Sequence, residues 1–138
     1  MAFTPQEGTN TSKYVSMACA TGITITKGNA LVDDTNGYLT NGSAGVNLDV
    51  NWVALETVTT TSAGQKVQCI RTNDVVFLAD CDAAWAQTDV LVKCDLATAG
   101  TLNPDANDDQ LFLIESGVGI ATEGTQVVGR FVAGAPNA

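Results

Sequence analysis

The chain has 138 residues, 45% of them hydrophobic and only 15% charged, with 15 acids against 6 bases for a net charge of −9. That is enough for one domain burying about two thirds of its unfolded surface, and too apolar for a disordered acidic tail. The acidic balance excludes the basic footprint a nucleic-acid partner demands and suits a partner with a basic surface; no run nears the roughly 20 apolar residues of a membrane helix.

Residues 1–13 are polar, with Phe3 and Pro5 as apolar anchors. They read as a flexible N-terminal arm ahead of a single β domain over residues 14–138. The opening residues lack the basic and apolar regions of a signal peptide, so synthesis in a host cytoplasm is expected. Tyr14 to Cys19 and Gly22 to Thr26 are short strands, with Ile23 and Ile25 to one side. Lys27-Gly28-Asn29 makes a turn into the strand Ala30-Leu31-Val32. Asp33 to Gly45, with two Asn-Gly pairs, reads as loop. Val46, Leu48, Val50, Trp52 and Ala54 then share one face of a half-buried strand, opposite Asn47, Asp49 and Asn51. Trp52 is thereby placed in the core. Glu56 to Thr61 continues as a Thr-rich edge strand.

The cleanest alternation runs from Gln65 to Thr72, with Val67 and Cys69 on one face and Ile70 on the other. Asn73-Asp74 reads as a hairpin turn into the strand Val75 to Ala79. One helical turn is expected at residues 83–86, capped by Asp80 or Asp82. Its Trp85 is either core or an anchor of an oligomer interface. A strand from Asp89 to Cys94 leads to the Gly100-Thr101-Leu102 step, and strands 65–72, 75–79 and 89–94 form a half-sheet that the rest of the chain covers. Asn103 to Asp109 is an acidic loop. Gln110 to Glu115, Gly117 to Ala121 and Thr125 to Val132 are the closing strands, Val127 and Phe131 sharing a face with Gly129.

No segment carries a helical stripe of useful length. About ten short strands with turn signals every 8–12 residues imply an all-β protein, a small antiparallel barrel or sandwich with a short helical turn and an extended arm. Gly64, Gly117, Gly119 and Gly129 fall where strands would bend.

Chemistry is sparse. Histidine is absent, so no Ser-His-Asp or Cys-His nucleophile can be built. Ser62 and Lys66, on a strand, would lie about 13 Å apart, too far for a dyad. Asp33-Asp34 and Asp108-Asp109 read as solvated loop acids. Asp105, Asn107 and Asp109 resemble the start of a calcium loop, but Gln110 replaces its glycine and Ser116 its closing acid. Asp34, Asn36 and Gly37 do no better. Gly117-Val118-Gly119-Ile120 lacks the helix a phosphate loop demands. Cys19, Cys69, Cys81 and Cys94 have no zinc spacing and read as small buried hydrophobes. Neither a catalytic residue nor a metal site nor a cofactor is expected.

The order of these segments carries a resemblance. A Lys27-Gly28 turn, Gly64 to Cys69 running on to Asp74 to Ala79, Thr88 to Val92, Gly100 to Leu102, Gly117 to Ala121 and Gly124 to Val132 together resemble the head-decoration, or cement, proteins of tailed bacteriophages. The resemblance spans roughly residues 22–132; the Asp33–Gly45 loop and the four cysteines depart from it. It implies a homotrimer on the outer capsid surface, bound to the major capsid protein at three-fold sites, with no nucleic-acid or membrane partner. Capsid contacts are then expected from Phe3, Thr4, Pro5 and Tyr14, the arm adding a strand to a sheet edge; deleting residues 2–12 would abolish binding and leave the fold intact. Another virion part, such as a tail tube or fibre, and a carbohydrate- or receptor-binding β-module are the rival readings.

Overall fold

The computed structural model describes residues 3–6, 13–45 and 48–133. They are all-β, with no α-helix among them and thirteen strands: β1 (Phe3–Pro5), β2 (Tyr14–Cys19), β3 (Thr24–Ile25), β4 (Ala30–Asp33), β5 (Leu39–Asn41), β6 (Trp52–Ala54), β7 (Val58–Thr59), β8 (Gln65–Arg71), β9 (Phe77–Asp80), β10 (Lys93–Thr98), β11 (Thr101–Asn103), β12 (Phe112–Val118) and β13 (Gln126–Phe131). Strands β2-β5-β4-β6-β8 close into a barrel; β1-β9-β13-β12-β10-β11 form a curled six-stranded sheet, and β3 pairs with β7.

The alternation along β8 was a sound guide to its faces, but one of them is buried differently from the other. Val67 and Cys69 point into the barrel with Cys19, Leu31, Leu39 and Ala54. Ile70 points outward, yet it is buried too, because the curled sheet packs over it. The same holds in β4, where Leu31 fills the barrel while Ala30 and Val32 face the sheet. A wall with both faces covered reads as a continuous apolar run, which is why Ala30-Leu31-Val32 shows no polar partner face.

The sheet's core is aromatic. All four phenylalanines of the chain meet there, around Phe131: its ring centroid lies 4.9 Å from Phe3, 5.0 Å from Phe112 and 5.4 Å from Phe77, each edge to face. Such pairs are worth about 0.5–1.5 kcal/mol beyond the area they bury.

Several expectations need correction. Residues 3–5 of the expected flexible arm are strand β1, in register with β9 through Phe3↔Ala79 and Pro5↔Phe77. Burying Phe3, which is 1% exposed, offsets the entropy of ordering this short segment; residues 1–2 and 7–12 of the arm lie outside the described residues. The Asn73-Asp74 turn exists, with Asp74 at φ 60°, but it is no hairpin. It carries the chain from barrel strand β8 to sheet strand β9, so strands 65–72, 75–79 and 89–94 do not share one half-sheet. The Asp33–Gly45 loop contains β5, which bridges β2 and β4. The strand expected over 46–54 is only β6; Val46 and Asn47 lie outside the described residues, and Leu48 is 37% exposed. Val50 and Trp52 pack on different cores, so the regular alternation breaks at Asn51, whose carbonyl accepts the Thr72 N–H at 3.1 Å. The helical turn is a 3-10 turn at Gln87–Asp89, closed by the Asp89 carboxylate accepting the Ala86 N–H at 2.7 Å, rather than a turn capped by Asp80 or Asp82. Strand β10 starts only at Lys93, because Leu91 sits at φ 67°. Gly117 and Val118 belong to β12, and the chain turns after them.

Because Phe3 belongs to the core, truncating the arm is not neutral to the fold. Phe3→Ala should cost about 3–5 kcal/mol. Chemical denaturation of the purified variant measures that loss, and a change under about 1 kcal/mol, the ordinary surface range, would contradict the placement.

Candidate functional site

The residues expected to contact a partner fall into two groups. Phe3, Thr4 and Pro5 line a cavity of about 250 Å³ together with Lys27, Gly28, Ala54 and Leu55. It exists because β1 is laid between β9 and the Lys27-Gly28 turn. The Phe3 N–H donates to the Gly28 carbonyl at 2.9 Å, and the Gly28 N–H donates to the Ala54 carbonyl at 2.8 Å. The side chain of Phe3 is spent on the protein's own core; Thr4 is exposed and Pro5 half-buried. What the surface offers is therefore an apolar floor, the exposed Thr4 and the Lys27 ammonium. Tyr14 is 47% exposed but stands elsewhere, at the start of β2 opposite Ile70, outside the cavity lining.

Trp85, the candidate interface anchor, is 5% exposed. Its indole N–H donates to the Val118 carbonyl at 3.1 Å. Its own N–H donates to Gly124 at 3.0 Å, and its carbonyl accepts from Thr122 at 2.8 Å. The ring lies flat over Gly117, where any Cβ would overlap it. Trp85 thus clasps the β12–β13 hairpin to the sheet. Of the two alternatives for Trp85, the described chain places it among the buried core residues. Trp52, expected in the core, is only half-buried. It lines a cleft of about 170 Å³ with Met17, Asp33, Gly37, Tyr38 and Leu39.

The acidic loops are scaffolding. Asp95 is buried, yet its carboxylate is satisfied by three backbone donors: Asp108 N at 3.0 Å, and Asp109 N and Gln110 N each at 2.8 Å. The arrangement holds Gln110 at φ 56°, a left-handed conformation that a glutamine adopts only when its surroundings enforce it. No pattern announced Asp95, because its neighbours Cys94 and Leu96 are equally buried and only the fold brings the 108–110 amides to it. Among the described residues no three acidic or cysteine side chains gather as metal ligands. The loop that merely resembles the start of a calcium loop is organised around Asp95.

The four cysteines are free and buried. Burial, then the Cys19 and Glu56 charges, push the Cys69 thiol up to about 12. Burial, then neighbouring aspartates, push Cys81 to about 12 as well. Burial raises Cys19, and burial, followed by Cys81 and then Asp95 and Asp89, raises Cys94. A thiol so disposed stays protonated and is a poor nucleophile at neutral pH.

Neither a protein-family model nor a curated relative matches the chain. One solved structure does. The head fibre gp8.5 N base of bacteriophage phi29 superposes with a TM-score of 0.56 at 16% identity, over 91% of this chain and 99% of that one. This chain shares that protein's fold.

Near Asp95, partial desolvation and then the Asp95 and Asp108 charges hold the Asp109 carboxyl above the usual range. The folded state then binds that proton more tightly than the unfolded chain does, so this contribution to stability is present in acid and is lost as pH rises through the raised value. Asp109→Asn should raise the Tm at neutral pH and leave it unchanged in acid below the carboxylate range. Thermal melts across pH check this; a lower Tm at neutral pH would refute it.

Proposed function

We propose that this protein is a non-catalytic structural component of a bacteriophage head. In this reading it binds the outer face of the major capsid protein lattice as a homotrimer, at three-fold sites, and cements the shell without a cofactor. The observation that carries the reading is the likeness of nearly the whole chain to the base of a phage head fibre. The physical character of the molecule supports it. A closed barrel whose wall is shared with a curled sheet is a rigid body with few free strand edges. A net charge of −9 favours solubility and a basic docking surface. Three identical weak patches on a trimer would engage a three-fold site together, gaining about 10²–10⁴-fold in avidity. The docking patch is assigned to the β1 face, with Thr4, Pro5 and Lys27 around the cavity, and Tyr14 on β2 would be a separate contact.

Purified protein mixed with undecorated capsids tests this. Electron cryomicroscopy should show density at symmetric outer sites, with β1 turned toward the shell. Thr4→Arg, which sets a bulky cation against a basic docking surface, should lower occupancy at least tenfold with no change in Tm, a loss of about 1.4 kcal/mol. Capsids left bare, or rings and filaments formed by the protein alone, would overturn the proposal and favour a tail-tube role.

A second reading rests on the Trp52 cleft. Its two half-buried aromatic residues, Tyr38 and Trp52, beside the Asp33 carboxylate suit a sugar ring stacked on an aromatic face and hydrogen-bonded at its rim. Under that reading, oligosaccharides quench the fluorescence of Trp52 in a Trp85→Phe background, and a flat titration dismisses it.

A further inference from the structure

The two Asn-Gly pairs, Asn36-Gly37 and Asn41-Gly42, have the same local sequence and opposite environments. Asn36 and Gly37 are both exposed, and open space surrounds the Gly37 α-carbon. The tight turn around them is tied by Asp34, whose carboxylate accepts the Asn36 N–H at 2.8 Å and the Tyr38 N–H at 3.1 Å. Those bonds flank Gly37 and skip it. Among the described residues neither the Asn36 carboxamide nor the Gly37 N–H has a hydrogen-bond partner.

At Asn41 every reacting group is engaged. The carboxamide nitrogen donates to the Thr24 carbonyl at 2.9 Å, and its oxygen accepts from Asn29 at 2.9 Å. The Gly42 N–H donates to the Ala30 carbonyl at 2.8 Å, and Gly42 is buried against that strand. Asn41 itself is paired with Leu31 in the barrel.

We propose that Asn36 is a site of spontaneous covalent modification, converted by water to aspartate and isoaspartate, and that Asn41 is protected by the fold. The backbone nitrogen of Gly37 loses its proton to solvent hydroxide and attacks Cγ of Asn36. The N–Cγ bond forms as the Cγ–Nδ2 bond breaks, and Nδ2 leaves as ammonia after taking a proton from water. Water then adds to either carbonyl of the resulting five-membered succinimide and opens it to a carboxylic acid. The sum is amide plus water giving acid plus ammonia, with nothing oxidised or reduced. Glycine at position 37 matters because no Cβ hinders the attacking nitrogen. The product adds one negative charge to a turn that already carries Asp33 and Asp34. The isoaspartyl form also lengthens the backbone inside the turn that Asp34 holds, on the lining of the Trp52 cleft.

The test is incubation of the folded full chain in mildly alkaline buffer, with proteolysis and fragment-ion mass spectrometry that separates residue 36 from residue 41. The amide-to-acid mass gain should accumulate at Asn36 about tenfold or more faster than at Asn41, since reaction at Asn41 must await local opening of its hydrogen bonds. An isoaspartyl methyltransferase assay should label the same peptide, and Asn36→Gln should remove the label. In denaturant the two sites should react at similar rates. Equal rates in the folded protein, or a folded Asn36 that stays intact while the unfolded chain reacts there, would overturn the proposal.

Discussion

The contact on which the molecule depends is the edge-to-face cluster of Phe3, Phe77, Phe112 and Phe131. These rings come from four strands, β1, β9, β12 and β13, that are far apart in sequence, and Phe131 touches the other three. The rings lie in the core that the sheet shares with the barrel's outer wall. The cluster fixes where the sheet meets the barrel: the rings belong to the same buried core as Ala30, Val32, Val53 and Ile70 of the barrel's outer wall. Without Phe3 that core would lose its lid, and β1 would have no reason to dock.

Sharing a wall between two cores has a structural consequence. In β4 and β6, and at Cys69-Ile70 of β8, successive side chains enter different cores, so the wall is covered on both faces there, while Lys66, Gln68 and Arg71 of β8 stay exposed. Sheet and barrel are therefore coupled, and neither is expected to open without exposing the other's apolar surface. In the same core Trp85 does a related job, filling the space over Gly117 and spending its indole N–H on Val118. A body built this way suits a static role better than one needing hinges or lids.

Much of the acidity is spent on backbone geometry. Asp33 and Asp34 accept turn amides, Asp89 closes the 3-10 turn, Glu56 accepts from Gln68 N, and Asp95 holds the 108–110 loop. Carboxylates used this way are fixed in space, so the negative potential they create is presented in a defined pattern to any partner. In the Asp33-Asp34 pair both carboxylates already accept turn N–H groups.

The sequence by itself determined the class of protein and the inward residues of its best strands. Period-two alternation, absent helical stripes and glycine or asparagine punctuation are local properties, and they mark β8, β2, β12 and β13 without reference to anything distant. Local signals also marked the Asn73-Asp74 turn and the buried cysteines. Partnership between strands was decided only in three dimensions. Nothing near Phe3 says that it completes a phenylalanine cluster, since its partners lie at positions 77, 112 and 131. Trp85 looked the same whether core or interface until Gly117 was brought beneath it. Asp95 became a loop organiser only once the 108–110 amides reached it, and Asn36 and Asn41 diverged only through the company they keep. Alternation records which side of a strand is apolar; the tertiary structure alone chooses what covers it, because burial is a property of pairs of surfaces and not of either one.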